Sequence, residues 1–150
     1  MARARKRLRA VIVAARFNEP ITRALVRGAR RRLRQAGFSD AAIGEVWLSG
    51  AFELPLAASL AAVRKPEAIV AVGCLIKGRT PQYEAIGQAV ANGLMQVSVL
   101  HQVPVGFGVI IAESVAQATA RAGGAMGNRG EEAAAAALDM RALRRRWRVE

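Results

Sequence analysis

The chain is short of the side chains that most often carry chemistry. It has one cysteine, Cys74, and one histidine, His101. A single cysteine excludes an intrachain disulfide and fits a reducing compartment, so a cytoplasmic protein is expected. A lone histidine at the far end of a helical pattern leaves no histidine metal cluster and no histidine-based triad. Aromatic residues are 5% of the chain. Basic stretches interleaved with stacking aromatics are absent apart from Trp147, so nucleic acid is not expected as the main partner. No apolar run approaches the ~18 residues of a membrane span. No Gly-x-Gly-x-x-Gly follows the first strand pattern, so no dinucleotide is expected, and no phosphate-binding P-loop occurs. Lysine is scarce too, with only Lys6, Lys65 and Lys77.

Apolar residues make up 53% of the 150, enough to bury the core of one domain spanning 1–150. The formal net charge of +12 is therefore almost all arginine. It gathers in a basic arm (1–9), along one helix face from Arg27 to Arg34, and in a basic tail (141–150). Such a charge balance suits an anionic substrate. Residues 1–15 look superficially like a signal peptide. The apolar stretch is short, Arg16 ends it and no cleavage segment follows, so it reads as a first strand.

Strand patterns cover Arg9 to Arg16, Ile43 to Ser49, Glu67 to Leu75 and Pro104 to Ala112, and helical patterns separate them. Asn18, Glu19 and Pro20 open the first helix, with Ile21, Leu25, Ala29 and Leu33 on its apolar side and Gly37 ending it. The second helix starts in Gly50 to Pro55. The third runs from about Pro81 to Leu100, with Thr80 as its cap and small residues Ala85, Ala89 and Gly93 for close packing. Ser114 caps a short fourth helix, and Asn128 with Glu131 suggests a capping box for the last. Alternation of this kind predicts a three-layer α/β/α sandwich on a four-stranded parallel sheet with right-handed crossovers. The strand order expected for it is flavodoxin-like, 2-1-3-4. Ligands of such folds bind beyond the carboxyl ends of the strands.

Four loops are expected at that edge: Phe17-Asn18, Gly50 to Glu53, Ile76 to Gln82, and Ala112 to Ser114. The third is built like an anion site. Gly78 permits unusual backbone angles and close approach, a helix start supplies free N–H groups, and Lys77 and Arg79 add charge. The same features also describe an ordinary strand-to-helix turn. Phe17 can stack on a flat ring or staple its helix. Glu53 can accept bonds from a polyol or simply favour a helix N-terminus. Arg121 and Arg129 bracket a Gly-rich turn, Gly123 to Gly127, that suits phosphate or, equally, solvent.

Several stretches together resemble lumazine synthases: Ala15-Arg16-Phe17-Asn18, Gly50-Ala51-Phe52-Glu53-Leu54-Pro55, Gly73 to Pro81, Val103 to Val109, and Arg121 to Gly130. The match runs in order from about Val11 to Met140. The resemblance implies a transferase of riboflavin biosynthesis. Such enzymes condense 5-amino-6-(D-ribitylamino)uracil with 3,4-dihydroxy-2-butanone 4-phosphate, releasing phosphate and water without a cofactor. It implies that Phe17 stacks on the pyrimidine, that Ala51, Phe52 and Glu53 hold the ribityl chain, and that Leu75 and Ile76 meet the heterocycle, beside Lys77. Gly78, Arg79 and Thr80 would cradle the phosphate. Phe107, Arg121 and Arg129 would enter from a neighbouring subunit of a homopentamer, Arg121 to the phosphate. Such pentamers sometimes close into icosahedral capsids.

The chain also departs from that pattern. Gln82 stands where the family's catalytic histidine usually lies. Glutamine can orient a substrate but cannot shuttle a proton. A slow enzyme is expected, the alternative being a non-catalytic lumazine- or flavin-binding relative or shell protein. Arg79 replaces a small residue, Arg129 stands where lysine is common, and Ala125 lacks a basic side chain.

Overall fold

A computed structural model describes residues 8–147. Residues 1–7 of the basic arm and 148–150 of the tail lie outside the described part. The sheet strands are β1 (Ala10–Ala15), β2 (Ile43–Leu48), β3 (Ala68–Ile76) and β4 (Val105–Ala112). They form one parallel sheet in the expected order β2-β1-β3-β4. The helices are α1 (Glu19–Gln35), α2 (Leu54–Ala62), α3 (Gln82–His101), α4 (Val115–Ala120) and α5 (Arg129–Arg146).

Strand side chains alternate between faces, and the two faces bury different helices. Ala10, Ile12 and Ala14 of β1 join Leu25, Leu33, Ala134 and Leu138 in the α1/α5 layer. Val11, Val13 and Ala15 join Leu54, Ala58, Val90 and Leu94 in the α2/α3 layer. Strand β3 is buried on both sides almost throughout, which is why it reads as one unbroken apolar run. Gly106 lets α5 press onto β4, since a side chain there would run into the backbone carbonyl of Ala133.

The basic helix face is largely neutralised within the chain. Arg30 pairs with Asp40 and Glu45, Arg34 with Asp40, and Arg31 with Glu131. The tail is not loose where it begins, because α5 continues through Arg146 and Arg141 binds Glu67. Among the described residues no helix is long and apolar enough to cross a membrane.

Four local expectations are corrected. Asn18 begins α1 but does not cap it with its side chain; its backbone is left-handed (φ 59°), and its amide donates instead to the Cys74 carbonyl at 2.8 Å. Thr80 does not cap α3, whose helix starts one residue later, after Pro81, with no side-chain cap. Gly78 is not among the residues with positive φ, so its value is open space around the Cα rather than a left-handed turn. The Asn128 cap is present, accepting from the Gly130 and Glu131 N–H groups. The reciprocal half of the box is not, because the Glu131 carboxylate goes to Arg31. The Gly-rich turn is a small antiparallel hairpin, β5 (Ala122–Gly124) with β6 (Gly127–Asn128), which the sequence pattern did not suggest.

Candidate active site

A groove of about 310 Å³ opens at the carboxyl end of the strands, lying over β1 and β3. Three of the four expected loops line it. Phe17 comes from the β1–α1 turn, Gly50 to Glu53 from the β2–α2 turn, and Gly78, Thr80 and Gln82 from the β3–α3 turn. Leu75 and Ile76 at the end of β3 form its floor.

Each position has a local cause. The Asn18 bond to the Cys74 carbonyl ties the β1–α1 turn to β3, and so sets Phe17 beside Leu75. A Cβ at Gly50 would lie 3.2 Å from Glu53 Oε2, so glycine there leaves the carboxylate room over the groove. Leu54 is fully buried under the start of α2, which anchors the Ala51–Glu53 turn preceding it. Phe17 and Phe52 are 68% and 67% exposed. Exposed aromatic rings beside a groove are suited to stacking on a flat ligand.

The groove also includes Tyr83 and Ile86, which no motif marks beyond their helical spacing after Gln82. The Tyr83 hydroxyl donates to Glu84 at 3.0 Å. Partial desolvation and this carboxylate partner both push the phenol's pKa upward. Glu53 and Tyr83 are the titratable side chains on the groove wall; no cation lines it.

The remaining predicted residues lie elsewhere on the same chain. Lys77 and Arg79 flank Gly78 but are not part of the groove wall. Phe107 sits mid-strand on β4, opposite Ala71, and is 40% exposed. Arg121 follows α4 and Arg129 opens α5; the Arg129 N–H donates to the Arg121 carbonyl, which brings the two close. Arg121 also donates to the Gln117 carbonyl, and Arg129 pairs with Glu132. Cys74 lies under the site, its thiol pushed up to about 11 by burial, so it packs rather than reacts. His101 ends α3 far from the groove, 3.4 Å from the Ser59 hydroxyl. Among the described residues no group of three His, Cys, Asp or Glu could hold a metal.

A parallel α/β sandwich whose strand-end groove combines exposed aromatics, a carboxylate and a helix-start loop defines a small-molecule-binding α/β protein of the kind that includes many enzymes. The sequence comparisons narrow the class. The model of the 6,7-dimethyl-8-ribityllumazine synthase family matches residues 7–145. A protein of that name from Stenotrophomonas maltophilia is 48% identical over 133 residues, 88% of this chain and 86% of its own length. Its namesakes from Xanthomonas campestris and Xylella fastidiosa are 47% and 46% identical over similar spans. The chain belongs to the 6,7-dimethyl-8-ribityllumazine synthase family.

Proposed function

We propose that the protein is a 6,7-dimethyl-8-ribityllumazine synthase, a transferase condensing 5-amino-6-(D-ribitylamino)uracil with 3,4-dihydroxy-2-butanone 4-phosphate in riboflavin biosynthesis. The observation that carries this reading is the convergence of Phe17, Phe52, Glu53, Gly78, Thr80 and Gln82 on one groove from three separate turns. Phe17 stacks on the pyrimidine. Glu53, with the Ala51 and Phe52 backbone, accepts and donates to the ribityl hydroxyls. The ends of Leu75 and Ile76 meet the ring edge. The Gly78–Thr80 turn, with Lys77 and Arg79 beside it, receives the phosphate at the start of α3. Phe107, Arg121 and Arg129 are supplied by a neighbouring copy, and Arg121 reaches the phosphate. A groove without a cation on its own wall supports that division, because a dianionic ester needs positive charge. A homopentamer, free or within a larger shell, satisfies it.

Gln82 sets the rate. Without histidine the amine addition and dehydration steps lose a proton shuttle, which typically contributes about 10²–10⁴-fold. Holding both reactants in one groove contributes an effective molarity of ~10⁵ M or more, so a slow enzyme remains. Turnover with both substrates tests this, beside the Gln82→His variant. The variant is expected to be at least about tenfold faster. A wild type no faster than the uncatalysed solution reaction would sink the enzymatic reading. Binding of a ribitylated pyrimidine without product would then favour a non-catalytic lumazine-binding protein, the reading that the Gln82 substitution itself motivates.

A further inference from the structure

A second and larger cavity, about 750 Å³, lies at the opposite end of the sheet, between the ends of α3 and α5. No part of the proposed chemistry uses it. Its wall carries four cationic side chains, Lys65, Arg141, Arg144 and Arg145, against one carboxylate, Glu67. That carboxylate is already saturated. Arg9 binds one oxygen, and Arg141 and Arg145 both bind the other, at 2.8 and 2.6 Å. Three guanidiniums on one carboxylate leave uncompensated positive charge, and Lys65 and Arg144 add to it. Lys65 is held in place by donation to the His101 carbonyl. Arg144 has no ion-pair partner among the described residues.

Ser98 and Gln102 add two neutral polar side chains, and the remaining wall is apolar: Val99, Val103, Pro104, Met140, Leu143 and the Trp147 ring. Trp147 is 67% exposed. An inorganic anion would leave most of this volume and all of the apolar wall unused. A cavity of this size and mixed lining matches a ligand with one anionic end and one flat apolar end. We infer that this cavity binds a free mononucleotide, its phosphates on Arg144, Arg145 and Lys65 and its base against Trp147. Guanidiniums suit phosphate oxygens, and indole suits a base. The inference does not depend on the groove at the strand ends.

Calorimetry on the intact protein with ATP, tripolyphosphate and adenosine tests it. ATP is expected to bind more tightly than either fragment, and its binding to weaken as salt rises. Arg144→Glu reverses a charge at the phosphates and should weaken ATP by about tenfold or more. Trp147→Ala should weaken ATP but leave tripolyphosphate unchanged. Both positions are exposed, and unchanged thermal melting of each variant would show that the fold is kept. No ATP binding, equal binding of ATP and tripolyphosphate, or indifference to both substitutions would overturn the assignment. So would an oligothymidylate binding more tightly than ATP, which would make the cavity a nucleic-acid contact.

Discussion

Among the described residues Glu67 is the carboxylate on which Arg9, the third strand and the last helix meet, and its ionisation should set part of the acid stability. It precedes β3, its N–H donates to the Arg9 carbonyl, and its carboxylate takes Arg9, Arg141 and Arg145. Arg9 and Arg141 in turn sit over the Phe38 ring at 4.7 and 4.9 Å. Burial works against ionisation, but the arginine hydrogen bonds and charges outweigh it and hold the carboxyl at about 2, against an ordinary 4.5. A depressed folded-state pKa means stability that is fully present above the unfolded value and lost as pH falls toward the folded one. The full shift corresponds to ~3 kcal/mol, and solvent at the open cavity reduces it to about 1–2 kcal/mol. Glu67→Gln removes the titration while keeping the shape. Urea unfolding of wild type and variant should differ by that amount from pH 6 to 8. The gap should narrow as pH drops through 4.5 and nearly close by about pH 2. Other carboxylates titrate alike in both proteins and cancel in the difference. A gap independent of pH would mean that the arginines contribute packing on Phe38 rather than charge.

Two further perturbations probe the site from beneath. Cys74, buried and with its thiol pushed up to about 11, should resist iodoacetamide in the native protein at pH 8 and react readily in urea; native labelling at the rate of a free thiol would contradict the buried position. Asn18→Ala loses the bond to the Cys74 carbonyl, costing about 1 kcal/mol, and keeps a Cβ in the left-handed region as asparagine does, whereas Asn18→Gly loses the same bond but relieves part of that ~1 kcal/mol strain. Urea midpoints should rank wild type above glycine above alanine, and equal losses would show that the backbone strain is not real.

The elements and their layers were legible because hydrophobic period and turn residues agree along the whole chain: β3 is apolar on both faces, and Gly37 and Ser114 end and begin helices where expected. Loop detail was less legible, because local rules give a residue several uses and tertiary contacts choose among them. Asn18 is a good cap by type, yet a carbonyl 56 residues away takes its amide. Thr80 lost its cap when Pro81 moved the helix start by one residue. Arginine-rich segments looked like free charge, but many of their members find carboxylates distant in sequence, such as Arg31 with Glu131. The cavity over Glu67 had no motif at all, since it is assembled from the ends of elements that are far apart along the chain.

The groove's own charge argues most directly for a site shared between copies. Its wall holds Glu53 and no cation, while Arg121 and Arg129 stand together at the two ends of the β5–β6 hairpin outside it. A single chain would thus offer a phosphate ester N–H groups and nearby exposed cations but no fixed guanidinium, and the anion would sit beside a carboxylate. If a neighbour supplies Arg121, damage on the two sides of the interface can be separated. Phe17→Ala disables a groove, and Arg121→Ala disables what a chain lends to its neighbour. Each alone should lose most turnover. Coexpressed in equal amounts, the two variants pair at random, and about a quarter of the sites join an intact groove to an intact arginine. Activity should therefore recover well above either parent, toward a quarter of the wild type. Mixed assemblies no more active than the parents, with both variants folded and assembled, would place Arg121 in the same copy as Phe17 or outside the site altogether.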